Sequence, residues 1–248
     1  MAKVISNKEL EGAFFLLKVE FENDARPGQF FMLRAWDKYP LLSRPISVFD
    51  SDGATLAFLC RKVGVGTEIL ARLREGDELS LIGPLGSSFP DFEGKLALVG
   101  GGAGVAPMYF AAKHCKRSGK ASVDIFLGFS EQAILEDSFV AVSDSLVVDV
   151  GGFITDKVDV SVYDRILACG PEIMMKTLYE KCLAADKSDA LWVSMESRMA
   201  CGIGACLVCS CPTAEGNKKI CKDGPVLPGE LVFSRRDMEA NAFDARGC

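Results

Sequence analysis

Cys201, Cys206 and Cys209 are separated by four and then two residues, and Cys221 follows further on. That local spacing is the one used by plant-type [2Fe–2S] loops, where four thiolates hold two irons. Thiolate is the soft donor that iron–sulfur chemistry wants. Gly202 and Gly204 lie between the first two cysteines, where missing Cβ atoms let backbone N–H groups crowd round a cluster. A zinc ribbon uses the same donors, but it usually pairs two short Cys knuckles, and here there is one triplet and a distant partner. Two cysteines compete for the fourth position. Cys211 would be stretched against a cluster already held by Cys209. Cys221 precedes the turn residues Lys222-Asp223-Gly224-Pro225, and a hairpin running out through Cys211 would bring it back. The metal ligands read from this region are therefore Cys201, Cys206, Cys209 and Cys221, with Cys211 a bystander.

Two earlier motifs suit a pyrophosphate. In Arg44-Pro45-Ile46-Ser47 the proline forces extended backbone, so a guanidinium and a hydroxyl three residues apart can address one anion. In Gly64-Val65-Gly66-Thr67 backbone amides open a short helix, a favourable place for phosphate. Each alone is a common pattern; together, ahead of a nucleotide-binding segment, they point to flavin. That segment is Gly100-Gly101-Gly102-Ala103-Gly104, between a short apolar run and a helix. Strand, glycine loop and helix set a dinucleotide pyrophosphate on a helix N-terminus, although the glycines do not follow the G-x-G-x-x-G fingerprint. Cys169-Gly170-Pro171 closes a later strand at the edge where such sheets bind ligands. Cys169 reads equally as a site residue or a small buried one.

The elements that must position these residues fall into three parts. Residues 1–93 carry short alternating segments at 14–21, 29–34 and 55–61 separated by turns, the pattern of a small antiparallel β-barrel. One helix interrupts them from Gly66 to Arg74, with Thr67 as its expected N-cap. Residues 94–190 read as an α/β domain, with buried parallel strands at 96–99, 122–129, 146–150 and 165–169, a helix over 108–116, and helices between the strands. Residues 191–248 form the cysteine-bearing β-rich unit. The fold class expected is thus multidomain. Ser130-Glu131-Gln132 after the second of those strands offers no cation for a 2′-phosphate, which leans towards NAD over NADP.

Composition removes several function classes. A net charge of −6 gives no basic face for nucleic acid. No run reaches membrane-spanning length and residues 1–9 lack an apolar signal core, so a cytoplasmic protein with reduced thiols is expected. Cys60, Cys115, Cys169, Cys182 and Cys248 then read as ordinary thiols, Cys169 with the alternative above. The single histidine, His114, sits among Lys113, Lys116 and Arg117 on a solvated helix face. One histidine leaves little room for Ser–His or Cys–His hydrolase chemistry.

The barrel with Arg44-Pro45-Ile46-Ser47, the Val99–Met108 glycine segment and Cys169-Gly170-Pro171 resemble the ferredoxin–NADP⁺ reductase superfamily. The cysteine tail, with Cys221-Lys222-Asp223-Gly224-Pro225, narrows the resemblance to the electron-transfer subunits of NAD-dependent dihydroorotate dehydrogenases. The resemblance covers nearly the whole chain. It implies FAD on the barrel, with Arg44–Ser47, Gly66 and Thr67 near its pyrophosphate and Arg61, Lys62 and Val63 along its adenosine side. It also implies a [2Fe–2S] cluster on Cys201, Cys206, Cys209 and Cys221, and NAD as the exchanging substrate. The implied partner is an FMN-containing catalytic subunit that oxidises dihydroorotate in pyrimidine biosynthesis, in a heterotetramer of two of each chain. No residue is assigned to dihydroorotate chemistry itself. Departures are the extra thiol of Cys211 and the lack of a basic residue at Ser130-Glu131. Two other readings are a flavin/iron–sulfur subunit of a ferredoxin:NAD(P) oxidoreductase or sulfhydrogenase, and a zinc-stabilised nucleotide-binding regulatory module.

Overall fold

Alternating apolar residues in the first third build seven strands: β1 (Ala2–Glu9), β2 (Phe14–Glu20), β3 (Phe30–Arg34), β4 (Arg44–Ser47), β5 (Asp50–Ser51), β6 (Thr55–Arg61) and, after helix α1 (Val65–Ala71), β7 (Glu78–Leu85) in this computed structural model, which describes residues 1–234. They pair antiparallel in the order β4-β3-β7-β1-β2-β6-β5, and β4 comes back against β6, rolling the sheet into a barrel. Side chains alternate across a strand. On β3, Phe31 and Leu33 therefore point into the barrel core with Leu17, Leu56 and Phe58, while Phe30 and Met32 join a different core outside it. Phe21, Phe31 and Phe58 meet edge to face, a favoured arrangement for aromatic quadrupoles.

Helix α1 starts earlier than its apolar pattern predicts. Gly64, not Thr67, occupies the N-cap. Thr67 sits in the first turn and reaches back: its hydroxyl donates to the Gly64 carbonyl at 2.9 Å and accepts from the Val63 and Gly64 amides. It thereby plays the returning half of a capping box, normally a Glu or Gln role.

The remaining strands form one six-stranded sheet. β8 (Gly94–Gly101) leads into helix α2 (Val105–Ser118), then come β9 (Ala121–Phe129), α3 (Glu136–Val140), β10 (Ser145–Val150), β11 (Arg165–Cys169), α4 (Glu172–Ala184) and β12 (Leu191–Ser194). α2 is longer than expected because Pro107 falls in its first turn, where a missing N–H costs nothing. It ends at Gly119, whose φ of 68° supplies the left-handed cap. One expected crossover helix is absent: β10 and β11 are joined through two short 3₁₀ turns, 154–157 and 160–162. Gly151-Gly152 breaks the chain after β10, and Asp159 caps the second turn through the Ser161 amide.

The sheet order is β10-β9-β8-β11-β12, all parallel, with a last strand antiparallel beside β12. The chain winds outward from β8 through β9 to β10, then crosses to β11 and winds the other way. The switch point lies between β8 and β11. The cysteine segment continues through hairpin β13 (Ser210–Thr213) and β14 (Gly216–Lys219), helix α5 (Ile220–Asp223), the closing strand β15 (Val226–Pro228) and helix α6 (Gly229–Phe233). β12, which the three-part reading places with the cysteines, and β15 both belong to the parallel-strand sheet. Cys248 lies outside the described residues.

A cleft beside a four-thiol loop

The hairpin returns the chain as the cysteine spacing requires: the Ile220 amide donates to the Cys209 carbonyl at 3.0 Å, which sets Cys221 beside Cys209. The Cys221 amide then faces the Cys209 sulfur at 3.4 Å, the Gly204 amide faces Cys221 Sγ at 3.0 Å, and the Ala205 amide faces Cys201 Sγ at 3.3 Å. Gly202 and Gly204 make this wrap possible with φ of 73° and 81°, values that L side chains rarely adopt. Backbone N–H groups of Ile203 and Cys206 hold the Cys201 thiol down to about 6. Burial, reinforced by neighbouring Cys209, pushes Cys221 up to about 12. Among the described residues no group of three or more His, Cys, Asp or Glu is placed as it would be round a single metal ion. Cys206 is exposed, Cys209 and Cys221 are buried. Cys211, fully buried, has its sulfur 3.7 Å from the Pro212 carbonyl oxygen.

Next to this loop a cleft of about 590 Å³ opens between barrel and sheet. Its barrel wall is Pro45, Ile46 and Ser47 from β4, Arg61 at the end of β6, Val63 just beyond it, and Thr67 from α1. Its opposite wall is Gly101 at the end of β8, Gly102 and Gly104 just beyond it, and Gly170-Pro171-Glu172 after β11. That is the switch point, where open α/β sheets bind their ligands. Met199 and Pro225, which flank the cysteine segment, complete the rim.

Several expected site residues stand behind this surface. Gly66 is buried beneath Arg44; a Cβ there would sit 2.5 Å from Arg44 Nε. The guanidinium is therefore pressed onto the first turn of α1, and it also lies 5.5 Å from the Trp36 ring centroid. Lys62 turns away to pair with Glu9 at 2.5 Å. Gly100 packs on Val105. A Cβ on Gly104 would strike the Cys169 carbonyl and the Gly170 amide, so this glycine lets the two ligand-facing loops touch. Cys169 itself is fully buried, and burial, with Glu196 opposite, raises its thiol far above the ordinary range. Burial likewise raises Cys60, Cys115 and Cys182, so all four are neutral thiols. His114 is on the outer face of α2, its Nε2 2.9 Å from Asp91.

Glu196, Met195 and Phe30 also line the cleft, and none was singled out by its sequence context. The apolar run Leu191-Trp192-Val193 is the signal for Met195 and Glu196: as a strand parallel to β11 it sets residues 195–197 at the ligand-binding edge. Glu196 Oε1 stands 4.0 Å from the Cys169 sulfur; the residue keeps an exposed edge at the cleft mouth, while the protein packed round its carboxyl replaces water and raises its pKa. A carboxyl raised in the folded state costs stability once pH climbs past its ordinary value and costs nothing below it. Glu196→Gln should therefore gain Tm relative to the unchanged protein between pH 4 and pH 7. Equal Tm differences at both pH values, measured by thermal unfolding, would refute the assignment.

Trp36 bears on the same wall. Flanked by Arg34 and Arg44 at 5.8 and 5.5 Å, its ring orients Arg44 over the α1 turn. A cation–π contact of this kind is worth about 0.5–2 kcal/mol. With Arg44 an expected pyrophosphate residue, Trp36→Ala should weaken FAD binding to the apoprotein by about tenfold, with Trp36→Phe restoring most of it, as read by equilibrium dialysis.

Residues 196–233 match the family model of the iron–sulfur cluster binding domain of dihydroorotate dehydrogenase B. A dihydroorotate dehydrogenase B (NAD(+)) electron transfer subunit from Clostridium acetobutylicum is 43% identical over 242 residues, covering 94% of this chain and 96% of the relative. Its counterpart from Clostridium perfringens is 40% identical over 243 residues, covering 93% and 97%. Among solved structures, an NADH-dependent reduced ferredoxin–NADP oxidoreductase has a TM-score of 0.82 at 28% identity, covering 96% of this chain and 92% of that one. A ferredoxin NADP⁺ reductase from Neisseria gonorrhoeae, with a TM-score of 0.62 at 17% identity over 74% and 90% of the two chains, shares the fold. With identity at this level running almost end to end, the chain belongs to the family of electron transfer subunits of dihydroorotate dehydrogenase B.

Proposed function

We propose that this chain conducts electrons from the FMN of a dihydroorotate-oxidising catalytic subunit to NAD⁺, in pyrimidine biosynthesis, using a [2Fe–2S] cluster and FAD. The observation that carries the reading is a shared wall: the cleft is bordered by Met199 and Pro225, two residues before Cys201 and four after Cys221. A flavin in the cleft would thus lie against the cluster loop on one side and the nucleotide edge of the sheet on the other. FAD, when bound, can exchange single electrons with an iron–sulfur cluster and a hydride with nicotinamide.

The residues fit those groups. Cys201, Cys206, Cys209 and Cys221 would hold the cluster, with the Gly204, Ala205 and Cys221 amides donating to their sulfurs. Such N–H groups stabilise negative sulfur and tune a cluster's potential. Arg44, Ser47 and the first turn of α1 would hold the FAD pyrophosphate, with Arg61 and Val63 along the adenosine side. Gly101, Gly102 and Gly104 form a cradle without Cβ atoms for the nicotinamide dinucleotide, with Gly100 and Cys169 supporting it from behind. Exposed Ser130 and Glu131, with no cation between them, favour NAD. Residues 1–93, 94–190 and 191 onward would serve as FAD, NAD and cluster units of a cytoplasmic heterotetramer, two chains of each kind. Among the described residues no helix is long and apolar enough to cross a membrane. The cluster loop offers exposed Ile203, Leu207 and Val208 round Cys206, an apolar rim suited to a protein partner. The greater identity to the dihydroorotate dehydrogenase B subunits than to the ferredoxin–NADP oxidoreductase, 43% against 28%, ranks the dihydroorotate reading first.

Mixing the FAD- and cluster-loaded chain with an FMN-bearing catalytic subunit should give dihydroorotate-dependent NADH formation only when both are present. NADH formation by the catalytic subunit alone, or none from the mixture, would contradict the proposal.

A further inference from the structure

The nine residues from Cys201 to Cys209 carry no charged side chain, so the loop itself supplies backbone dipoles but no net charge beyond its sulfurs. The charged residues between Cys209 and Pro225 are Glu215, Lys218, Lys219, Lys222 and Asp223. Lys218 pairs with Glu215 at 3.1 Å. Asp223 turns its carboxylate back to the start of α5, where it accepts from the Lys219 amide at 2.7 Å.

Lys222 is drawn against the loop. A Cβ on Gly204 would lie 3.0 Å from both Cβ and Cδ of Lys222 and 3.5 Å from its Cγ. The aliphatic stem thus runs along the residue whose amide faces the Cys221 sulfur at 3.0 Å, and glycine at 204 lets it pass that closely. Long basic side chains lay down their stems in this way and leave the ammonium in water. The residue as a whole is exposed, and no carboxylate among the described residues forms an ion pair with it. Its ammonium lies two bonds past Cδ, which keeps the charge within roughly one Debye length of that sulfur, about 10 Å at 0.1 M salt.

We propose that Lys222 sets the potential of the iron–sulfur cluster: its positive charge, held against Gly204, makes the cluster easier to reduce. The inference rests on the reading that Cys201, Cys206, Cys209 and Cys221 are the ligands. Reduction adds one electron to a group already made negative by its four thiolates, and a neighbouring cation favours the more negative state. No bond forms or breaks at Lys222 and its protons stay in place; the lysine shifts only the equilibrium of a one-electron step. A cluster tuned in this direction is the better acceptor for electrons arriving from a donor flavin.

The test is an EPR-monitored redox titration of the FAD- and cluster-loaded chain at low ionic strength. Lys222→Met keeps an unbranched stem against Gly204 without the charge, Lys222→Glu reverses the charge, and Lys222→Arg retains it. Cluster content and FAD absorbance should match the unchanged protein in all three. Lys222→Met should leave the cluster about threefold or more harder to reduce, and Lys222→Glu should go further in the same direction. Lys222→Arg should stay close to the unchanged protein. The shift in Lys222→Met should shrink as salt is raised to about 1 M, where the Debye length is about 3 Å. One potential shared by the unchanged protein and Lys222→Met overturns the proposal. So does a shift that Lys222→Arg shares, or one that salt leaves untouched, because packing of the stem would then be its cause. No reduced-cluster signal from the unchanged protein under dithionite would instead overturn the ligand reading underneath.

Discussion

Cys206→Ser should abolish the visible absorbance and the reduced-state EPR signal of the iron–sulfur cluster while leaving FAD stoichiometric. Of the four proposed ligands Cys206 is the informative one because it is exposed. Cys209 and Cys221 are part of the buried core that also holds Val193, Ile220 and Phe233, so replacing either removes packing as well as a sulfur. Flavin reduction by NADH should persist in the variant, since the cleft walls from β4, α1 and the glycine loop are untouched. Dihydroorotate-dependent NAD⁺ reduction in the reconstituted complex should fall by more than the roughly 10–100-fold that loss of a mere supporting hydrogen bond costs a metal site. Retained cluster absorbance would remove Cys206 from the ligand set.

Gly104→Val should have the second largest effect, and on the other side of the flavin. The clash is with backbone, the Cys169 carbonyl and the Gly170 amide, and neither can swing aside as a side chain would. The loops after β8 and β11 must separate, and overpacking of this kind costs about 1–3 kcal/mol or more. The expected outcome is a KM for NADH raised at least about tenfold, with cluster absorbance retained because the cysteine segment is anchored elsewhere, through Ser87 to Val226. Gly102→Ala separates ligand contact from fold. A Cβ there meets nothing within 4 Å, but φ is +56°, so alanine strains the backbone by about 1–2 kcal/mol. Tm should fall by only a few degrees, and NADH should still bind more weakly if the proposed dinucleotide site lies here. An unaffected KM in both variants would detach the glycine loop from nicotinamide binding.

Local chemistry was the legible part of this chain. The cysteine loop reads from sequence because three sulfurs, two glycines and the hairpin to Cys221 all fall within 21 residues. β6 and β11 span 55–61 and 165–169, as alternation and a short apolar run predict. What escaped was set by distant partners. Lys62 belongs to a barrel pair with Glu9, 53 residues away, and no local pattern announces that. Thr67 looks like an N-cap by type, but the preceding glycine takes the cap and leaves threonine to close it from within. Glu196 and Met195 entered the cleft because Leu191–Ser194 is a strand of the parallel sheet, which the short run before the cysteines does not reveal. β15 completes that sheet from beyond the cluster segment, tying the third part of the chain into the second and setting Pro225 on the rim of the cleft.

One chain would carry electrons between nicotinamide and an iron–sulfur cluster through a flavin. The most direct measurement is an anaerobic NADH titration of the isolated FAD- and cluster-loaded protein, followed by flavin absorbance and low-temperature EPR. Bleaching of the flavin together with the signal of a reduced [2Fe–2S] cluster, both lost to excess NAD⁺, is the predicted result. Flavin reduction with a cluster that stays oxidised at every NADH excess would contradict it.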